Sequence, residues 1–439
     1  MTRPVLPYAQ PVRGVDHVSG SAIRRAAADL LTLTIDSRRT LDDAMETSQV
    51  FNSLEGSDRG FARAIASTAL RNLGHIDAAL TPLLSRPLPA VTAPIRALLR
   101  AGVTQLWLMN TSPHAAVGET VEAAKAWPEA RSGGAFLNAV LRRADRERPD
   151  FTAMPPQGVW PEWLQAAFTE TLGVEAADAL AKAQLAEPIL YLTPKSDAAR
   201  VAAETGGETV PGGAVRVPSG SVEDMDGFAA GDWWVQDVAA MIPARLLNPQ
   251  AGETIIDLCA APGGKTLQLA ASGANVTAID RSAARLRLLQ ENLGRTGLSA
   301  TVIAANADEW RPDEPALKIL LDAPCSALGT LRRHPEGAWI KRDADVARFP
   351  AAQARLLDSA LDMLQPGGTL IYCVCTPLPA EGVDIIDAAV ARSHVQRVPV
   401  LPQDVPGFEH SITEKGDVLT LPGAVGDHDT FYISRLTKT

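Results

Sequence analysis

The amino-acid sequence predicts a multidomain chain: an all-α N-terminal domain, a small α+β linker module and a C-terminal α/β domain on a doubly wound parallel sheet. Three observations point there. From about Ser21 to Arg146 apolar residues recur at three- and four-residue spacing with few β-branched runs, the periodicity of helices that bury one face. From about Phe151 to Gly231 short candidate strands alternate with a helix in a Pro- and Gly-richer setting. From Thr254 short continuous apolar runs alternate with helical stretches, the mark of βαβ units whose sheet is covered on both faces. At 439 residues the chain exceeds what one core organises. The expected domains are residues 20–147, 148–235 and 236–439.

In the first domain, "AIRRAAADLLTLTI", "RGFARAIASTALRNLGHIDAAL", "IRALLRAGVTQLWLM" and "AAVGETVEAAKAW" read as helices, and "SRPLPAVTAP" and "NTSPH" as turns in which Ser or Thr beside Pro opens the next helix. In the linker, "ILYLTP" and "AVRVPSG" read as strands around the helix "DAARVAAETG", after which "WWVQDVAAMIPARLL" resumes helical periodicity. The third domain follows as "TIIDLCA", the Gly-rich turn "APGGKT", then "NVTAID", "AARLRLLQENLGRTGL", "ATVIAAN", "LKILLDAP" and "ARLLDSALDMLQPGGTLIYCVC". Its site is expected at the carboxyl ends of the strands.

Composition narrows the function. Apolar residues make up 46% and charged residues 21%, with no apolar run near the ~18 residues of a membrane span. The opening "MTRPVLPYAQPVRG" lacks an apolar signal core, so a cytoplasmic protein is expected. Four cysteines without a spaced framework indicate reduced thiols. Net charge of −10 counts against a protein that coats nucleic acid nonspecifically, yet two local basic groups stand out: Arg281, Arg285, Arg287 and Arg295, then "LRRHP" with Lys341 and Arg342.

"DLCAAPGGKT" follows an apolar strand, where a ligand meets backbone N–H donors at a helix N-terminus. A phosphate loop needs Gly where Cys259 stands, and the dinucleotide pattern G-x-G-x-x-G is absent. A nucleoside bound without pyrophosphate fits better: Gly263 and Gly264 permit close approach, and Asp280 ends the next strand, where a carboxylate accepts ribose hydroxyls. S-adenosylmethionine is such a ligand, with Cys259, Ala260, Ala261, Pro262, Gly263, Gly264, Lys265, Asp280 and Asp322 expected around it. Asp257 alone would cap the turn.

Together "DLCAAPGGKT", "LLDAPCSALGTLRRHPEGAW" and "YCVCTPLPAEG" resemble the RsmB-like, Sun-type RNA 5-methylcytosine methyltransferases. "DRGFARAIASTALR", "SPHAAVGETVEAAK" and "FLNAVLRR" are similar to the NusB-like helical domain such enzymes carry, and "WVQDVAAM" to the segment leading into the catalytic domain. The resemblance implies a class I, Rossmann-like fold and methyl transfer from S-adenosylmethionine to carbon 5 of a cytosine in small-subunit (16S) ribosomal RNA. It departs in two places. The family's Thr-Cys-Ser and Glu-Glu-Asn groups are replaced by Val374-Cys375-Thr376 and Ala380-Glu381-Gly382, and an aspartate near the adenine by Asn306, with Asp308 two residues later.

Cytosine carbon 5 accepts a methyl group only after a nucleophile adds at carbon 6, and a thiolate suits that step. Cys325 in "DAPCS" and Cys375 in "CVCTP" both lie at strand ends facing the expected site, and spacing does not choose between them. The Pro-Cys cysteine of DNA enzymes would select Cys325. The resemblance selects Cys375 as nucleophile and gives Cys325 product release. Cys373 and Cys259 are expected to pack. Asp322 is expected to bond the cytosine edge. Lys265 is a candidate for the target nucleotide, and Arg332, Arg333 and His334 for phosphates. One C-x-C pair and two isolated thiols do not suit structural zinc. The expected partner is RNA, with no membrane, no metal and a monomeric chain. A scaffold with a degenerate methyltransferase half is the competing reading, and a DNA methyltransferase lacks a recognition insertion.

Overall fold

The computed structural model describes residues 19–218, 220–392, 394–422 and 427–439. The opening stretch read above as lacking a signal core lies outside them. Described residues up to Asp150 form one compact unit, and those from Phe151 onward another.

The first unit is helical throughout. Its longer helices are Gly20–Ile35, Gly56–Arg71, Ala93–Trp107, Pro113–Ala126 and Gly134–Arg146. Pro94 and Pro113 sit in first turns, where the missing N–H has no partner to lose. Leu30, Leu31, Ile65, Leu98 and Leu141 form a common core. Helices pack closely at Gly102, where a Cβ would come within 2.7 Å of the Leu141 side chain and push it aside.

Early in the second unit come helices Glu162–Leu172 and Val174–Leu185, neither of which the linker reading named. They close on Trp160 and Phe168, packed edge to face at 5.0 Å. Next come strands β1 (Leu190–Pro194), β2 (Glu208–Thr209), β3 (Val215–Val217) and β4 (Trp233–Val235), an antiparallel sheet in the order β2-β3-β1-β4 with helix Ala198–Thr205. The expectation of helix across "WWVQDVAAM" is corrected here. Trp233 packs with Leu192, Val201 and Val215, whereas Trp234 packs with Ala261, Leu267 and Leu289. Adjacent large residues serving opposite faces require the two-residue period of a strand.

The main sheet comprises β5 (Thr254–Leu258), β6 (Asn275–Asp280), β7 (Thr301–Ala304), β8 (Ala316–Asp322), β9 (Leu364–Val374), β10 (Val395–Arg397), β11 (Val418–Leu419) and β12 (Tyr432–Lys438). Its order is β10-β12-β9-β8-β5-β6-β7, with β11 beside β12. β5 to β9 run parallel, as the βαβ pattern predicts, and β12 and β10 add an antiparallel edge. Residues alternate between two cores: Ile255, Leu320, Ile371 and Ile433 on one face, Ile256, Leu321, Leu370 and Leu436 on the other. The chain leaves β5 toward β6 on one side and β8 toward β9 on the other, so a crevice opens at the carboxyl ends of β5 and β8.

Candidate functional site

β5 ends in the Gly-rich turn. Cys259 adopts φ 62° and Gly263 φ 110°, and helix Gly264–Ala271 starts immediately after. Gly263 has two reasons to be glycine: its left-handed backbone, and the 2.2 Å at which a Cβ would meet Leu289. Asp280, 4% exposed, pins the turn from the end of β6. Its Oδ2 accepts from the Ala261 amide at 3.1 Å and its Oδ1 from that of Ser282 at 2.8 Å. Arg285 donates to the Ala261 carbonyl and lies 3.7 Å from the same carboxylate. Each carboxylate oxygen keeps lone-pair capacity for a ribose hydroxyl.

Beyond this turn lies a cavity of about 700 Å³, lined by Cys259, Ala261, Asp280, Asn306 and Asp322 and also by Cys325 and Cys375. That is the size of a pocket for a small-molecule ligand, and with the unfilled acceptors of Asp280 the residues fit a nucleoside. Ala260, Pro262, Gly263, Gly264 and Lys265 stand behind this lining and shape the turn. Arg348, Phe349 and Arg355 complete the wall from helix Phe349–Met363 and its approach; no motif in the sequence singled them out.

The two thiols meet because β8 and β9 are parallel neighbours with Asp322 in register with Cys373. The chain beyond each strand carries Cys325 and Cys375 to one point, where their sulfurs lie 3.3 Å apart. The hydrogen bond to Cys375, then burial, pushes the Cys325 thiol well above its usual pKa. At that distance the two thiols share one hydrogen bond, in which either sulfur can be the donor. Cys373 does more than pack: its thiol donates to Asp322 Oδ1 at 3.3 Å, and burial followed by the Asp322 charge holds it protonated. Burial and the nearby Asp280 raise Cys259, an inert thiol as expected.

Lys265 is neither exposed nor turned to solvent. Its Nζ donates to Asp322 Oδ2 at 2.8 Å and lies 5.1 Å from the centre of the Phe431 ring. Burial disfavours the ammonium, but the charge and hydrogen bond of Asp322 favour it, and the pKa is raised. Asp322, with a side chain 32% exposed, is thus held by a cation and a thiol while it lines the cavity.

The expectation that Arg332 meets a phosphate is corrected. Its guanidinium is buried 2.9 Å from Asp237 and 3.6 Å from Asp429, tying "WVQDVAAM" to the chain beyond Cys325. A charge committed to two buried carboxylates has no room for a third anion. Arg333 also pairs with Asp429 but keeps a side chain 38% exposed, and the His334 side chain is 45% exposed. In the first basic group Arg295 is committed to the carbonyls of Phe228 and Trp233.

The turn after Cys375, read as altered, is built from other atoms. Thr376 Oγ1 lies 3.2 Å from Ser326 Oγ, and the fully buried Glu381 accepts from the Ser326 amide at 2.8 Å. The only trace of this in the sequence is one carboxylate in the otherwise apolar "PLPAEGV".

Asp257 lies beneath the turn, fully buried, with Oδ2 accepting from Thr266 Oγ1 at 2.6 Å. Burial pushes its pKa from 3.8 to about 7. A folded-state pKa above the unfolded value gives stability that is complete at acid pH and lost as pH rises through the folded value. Asp257→Asn is therefore expected to leave the urea midpoint unchanged at pH 4 and raise it at pH 8, where the gain in stability is on the order of 1–4 kcal/mol. A midpoint equally shifted at both pH values would show that Asp257 does not titrate in this range.

Among the described residues no helix is long and apolar enough to cross a membrane, and no cluster of three or more His, Cys, Asp or Glu side chains is placed to hold a metal ion.

Comparison with known proteins agrees with this arrangement. Residues 21–146 match the NusB family, and residues 244–437 the family described as 16S rRNA methyltransferase RsmB/F. The ribosomal RNA small subunit methyltransferase B of Pseudomonas syringae pv. tomato is 34% identical over 94% of this chain and 96% of its own. The protein of the same name from Vibrio vulnificus is 34% identical over 95% and 99%. The crystal structure of PH0851 superposes with a TM-score of 0.77 over 96% of this chain and 99% of that one, at 21% identity, a likeness of fold. With relatives alike over nearly their whole length and both halves matched, the chain belongs to the RsmB/F family of methyltransferases.

Proposed function

We propose that this protein methylates carbon 5 of a cytosine in small-subunit ribosomal RNA, with S-adenosylmethionine as donor and Cys375 as nucleophile. One observation carries the reading: two thiols 3.3 Å apart open into the same cavity as a buried strand-end carboxylate, Asp280. Asp280, Ala261 and Asn306 would hold the donor, which when bound supplies an electrophilic methyl group. The names of the relatives support ribosomal RNA as the substrate.

The chain's own residues account for the remaining chemistry. Cys375 attacks as thiolate, with the proton of the thiol pair left on Cys325. As its sulfur bonds to carbon 6, the carbon 5–carbon 6 π pair shifts toward carbon 5 and makes it nucleophilic. Asp322, fixed by Lys265 and Cys373, meets the edge of the base and steadies the charge that develops. Once Cys375 is bonded to carbon, the hydrogen bond that raised the Cys325 thiol is gone, and Cys325 loses its proton to solvent more readily. Its thiolate then takes the carbon 5 proton. The C–H electron pair re-forms the double bond and expels Cys375, restoring the shared-proton pair. The base must leave any stack to be approached from its face, which favours a loop cytosine. Arg333 and His334, whose side chains keep some exposure, would meet phosphates.

Bisulfite mapping of small-subunit ribosomal RNA from cells with and without the protein is the test. One cytosine is expected to be protected only when the protein is present. An unchanged map would remove the assignment of both substrate and carbon 5.

A further inference from the structure

We propose that Glu381 is a positioning residue for the reaction: it sets the Cys325 thiol against Cys375 by gripping the backbone on both sides of Cys325. The inference rests on the reading of Cys375 as nucleophile and Cys325 as the releasing group. Glu381 is fully buried, and its Oε2 accepts from the Ser326 amide at 2.8 Å and from Gln353 Nε2 at 3.0 Å. The same Gln353 nitrogen donates to the Pro324 carbonyl at 3.0 Å. Pro324 and Ser326 are the two neighbours of Cys325, so one Gln–Glu pair brackets the thiol.

The other end of Glu381 is fastened to the strand that delivers Cys375. Its backbone carbonyl accepts from the Tyr372 hydroxyl at 2.7 Å, and Tyr372 lies within β9. The carboxylate is thereby referenced to one thiol while it holds the loop of the other. Two contacts brace the same loop: Lys341 Nζ donates to the Ser326 carbonyl, and Ser326 Oγ meets Thr376 Oγ1 at 3.2 Å. A buried carboxyl group is costly to leave unpaired, and the Oε2 partners of Glu381 are one loop amide and the side chain that holds the same loop, while its buried Oε1 has no hydrogen-bond partner. Without it the loop keeps its covalent path but loses the constraint on where Cys325 points. Attack by Cys375 survives that loss, whereas removal of the carbon 5 proton does not.

The test uses the full-length protein, S-adenosylmethionine and a small-subunit ribosomal RNA transcript, with turnover and protein–RNA adduct on denaturing gels as readouts. Glu381→Ala is expected to lower kcat on the order of 100-fold, as misplacement by an ångström does. KM for RNA should stay within about twofold, and adduct should accumulate as it does in Cys325→Ala. Glu381→Gln keeps an acceptor for the Ser326 amide and is expected to restore turnover to within about tenfold of the parent without adduct. If Glu381→Ala does not fold, Gln353→Leu removes the other half of the bracket and should accumulate adduct in the same way. Loss of turnover without adduct in the Glu381 or Gln353 variant, while Cys325→Ala does accumulate it, overturns the inference and leaves Glu381 structural. Absence of adduct in Cys325→Ala itself overturns the division of roles between the thiols, and the inference with it.

Discussion

Cys375→Ala is expected to abolish methyl incorporation into ribosomal RNA, with a loss on the order of 10⁴-fold or more, the scale seen when a covalent nucleophile is removed. The size follows from the chemistry. Without addition at carbon 6 no electron density reaches carbon 5, and no other described group in the pocket can substitute. Cys325 is the nearest alternative, but its raised pKa leaves it a protonated thiol. Alanine removes only a half-buried thiol, so folding and RNA binding should be close to the parent, measured as an unchanged urea midpoint and RNA Kd. Residual methylation above about 1% of the parent rate would place the nucleophile elsewhere.

Cys325→Ala should produce the opposite failure. Cys375 still adds, carbon 5 is still methylated once, but the proton there has no base to accept it and the enzyme stays bonded to its product. The expected result is one turnover followed by arrest, with a protein–RNA species that survives denaturing electrophoresis. Incubation with methyl-labelled donor should place about one methyl group in each adduct. An adduct on Cys375→Ala in place of Cys325→Ala would exchange the two roles. Cys373→Ala provides a contrast. Its sulfur donates to Asp322 and is absent from the cavity wall, so it should weaken turnover by about tenfold or less without trapping RNA.

Much of this was legible before any coordinates. The Gly-rich turn, Asp280 at a strand end and the two strand-end cysteines all depend on local rules: positive φ at Gly263, a strand's period, and a thiol where chain leaves the sheet. Other features were misread for equally physical reasons. Arg332 in "RRHP" looks like a phosphate contact because a linear sequence does not show that Asp237 and Asp429, distant along the chain, converge on it. Lys265 reads as a candidate for the target nucleotide, and its pairing with Asp322 does not show because that residue is far off in sequence. Glu381 was counted as part of a lost motif, although its carboxylate grips the loop of a cysteine on another strand.

By itself the sequence determined the order of helical, mixed and parallel-sheet segments and the residue types at the strand ends, because these follow from periodicity and backbone preference within a few neighbouring residues. The tertiary structure alone decided that the two thiols meet, which cations are spent on buried carboxylates, and which carboxylate holds the reactive loop. Those outcomes depend on distances between residues far apart in the chain and on how much water remains around them, and charge and proton affinity respond to both.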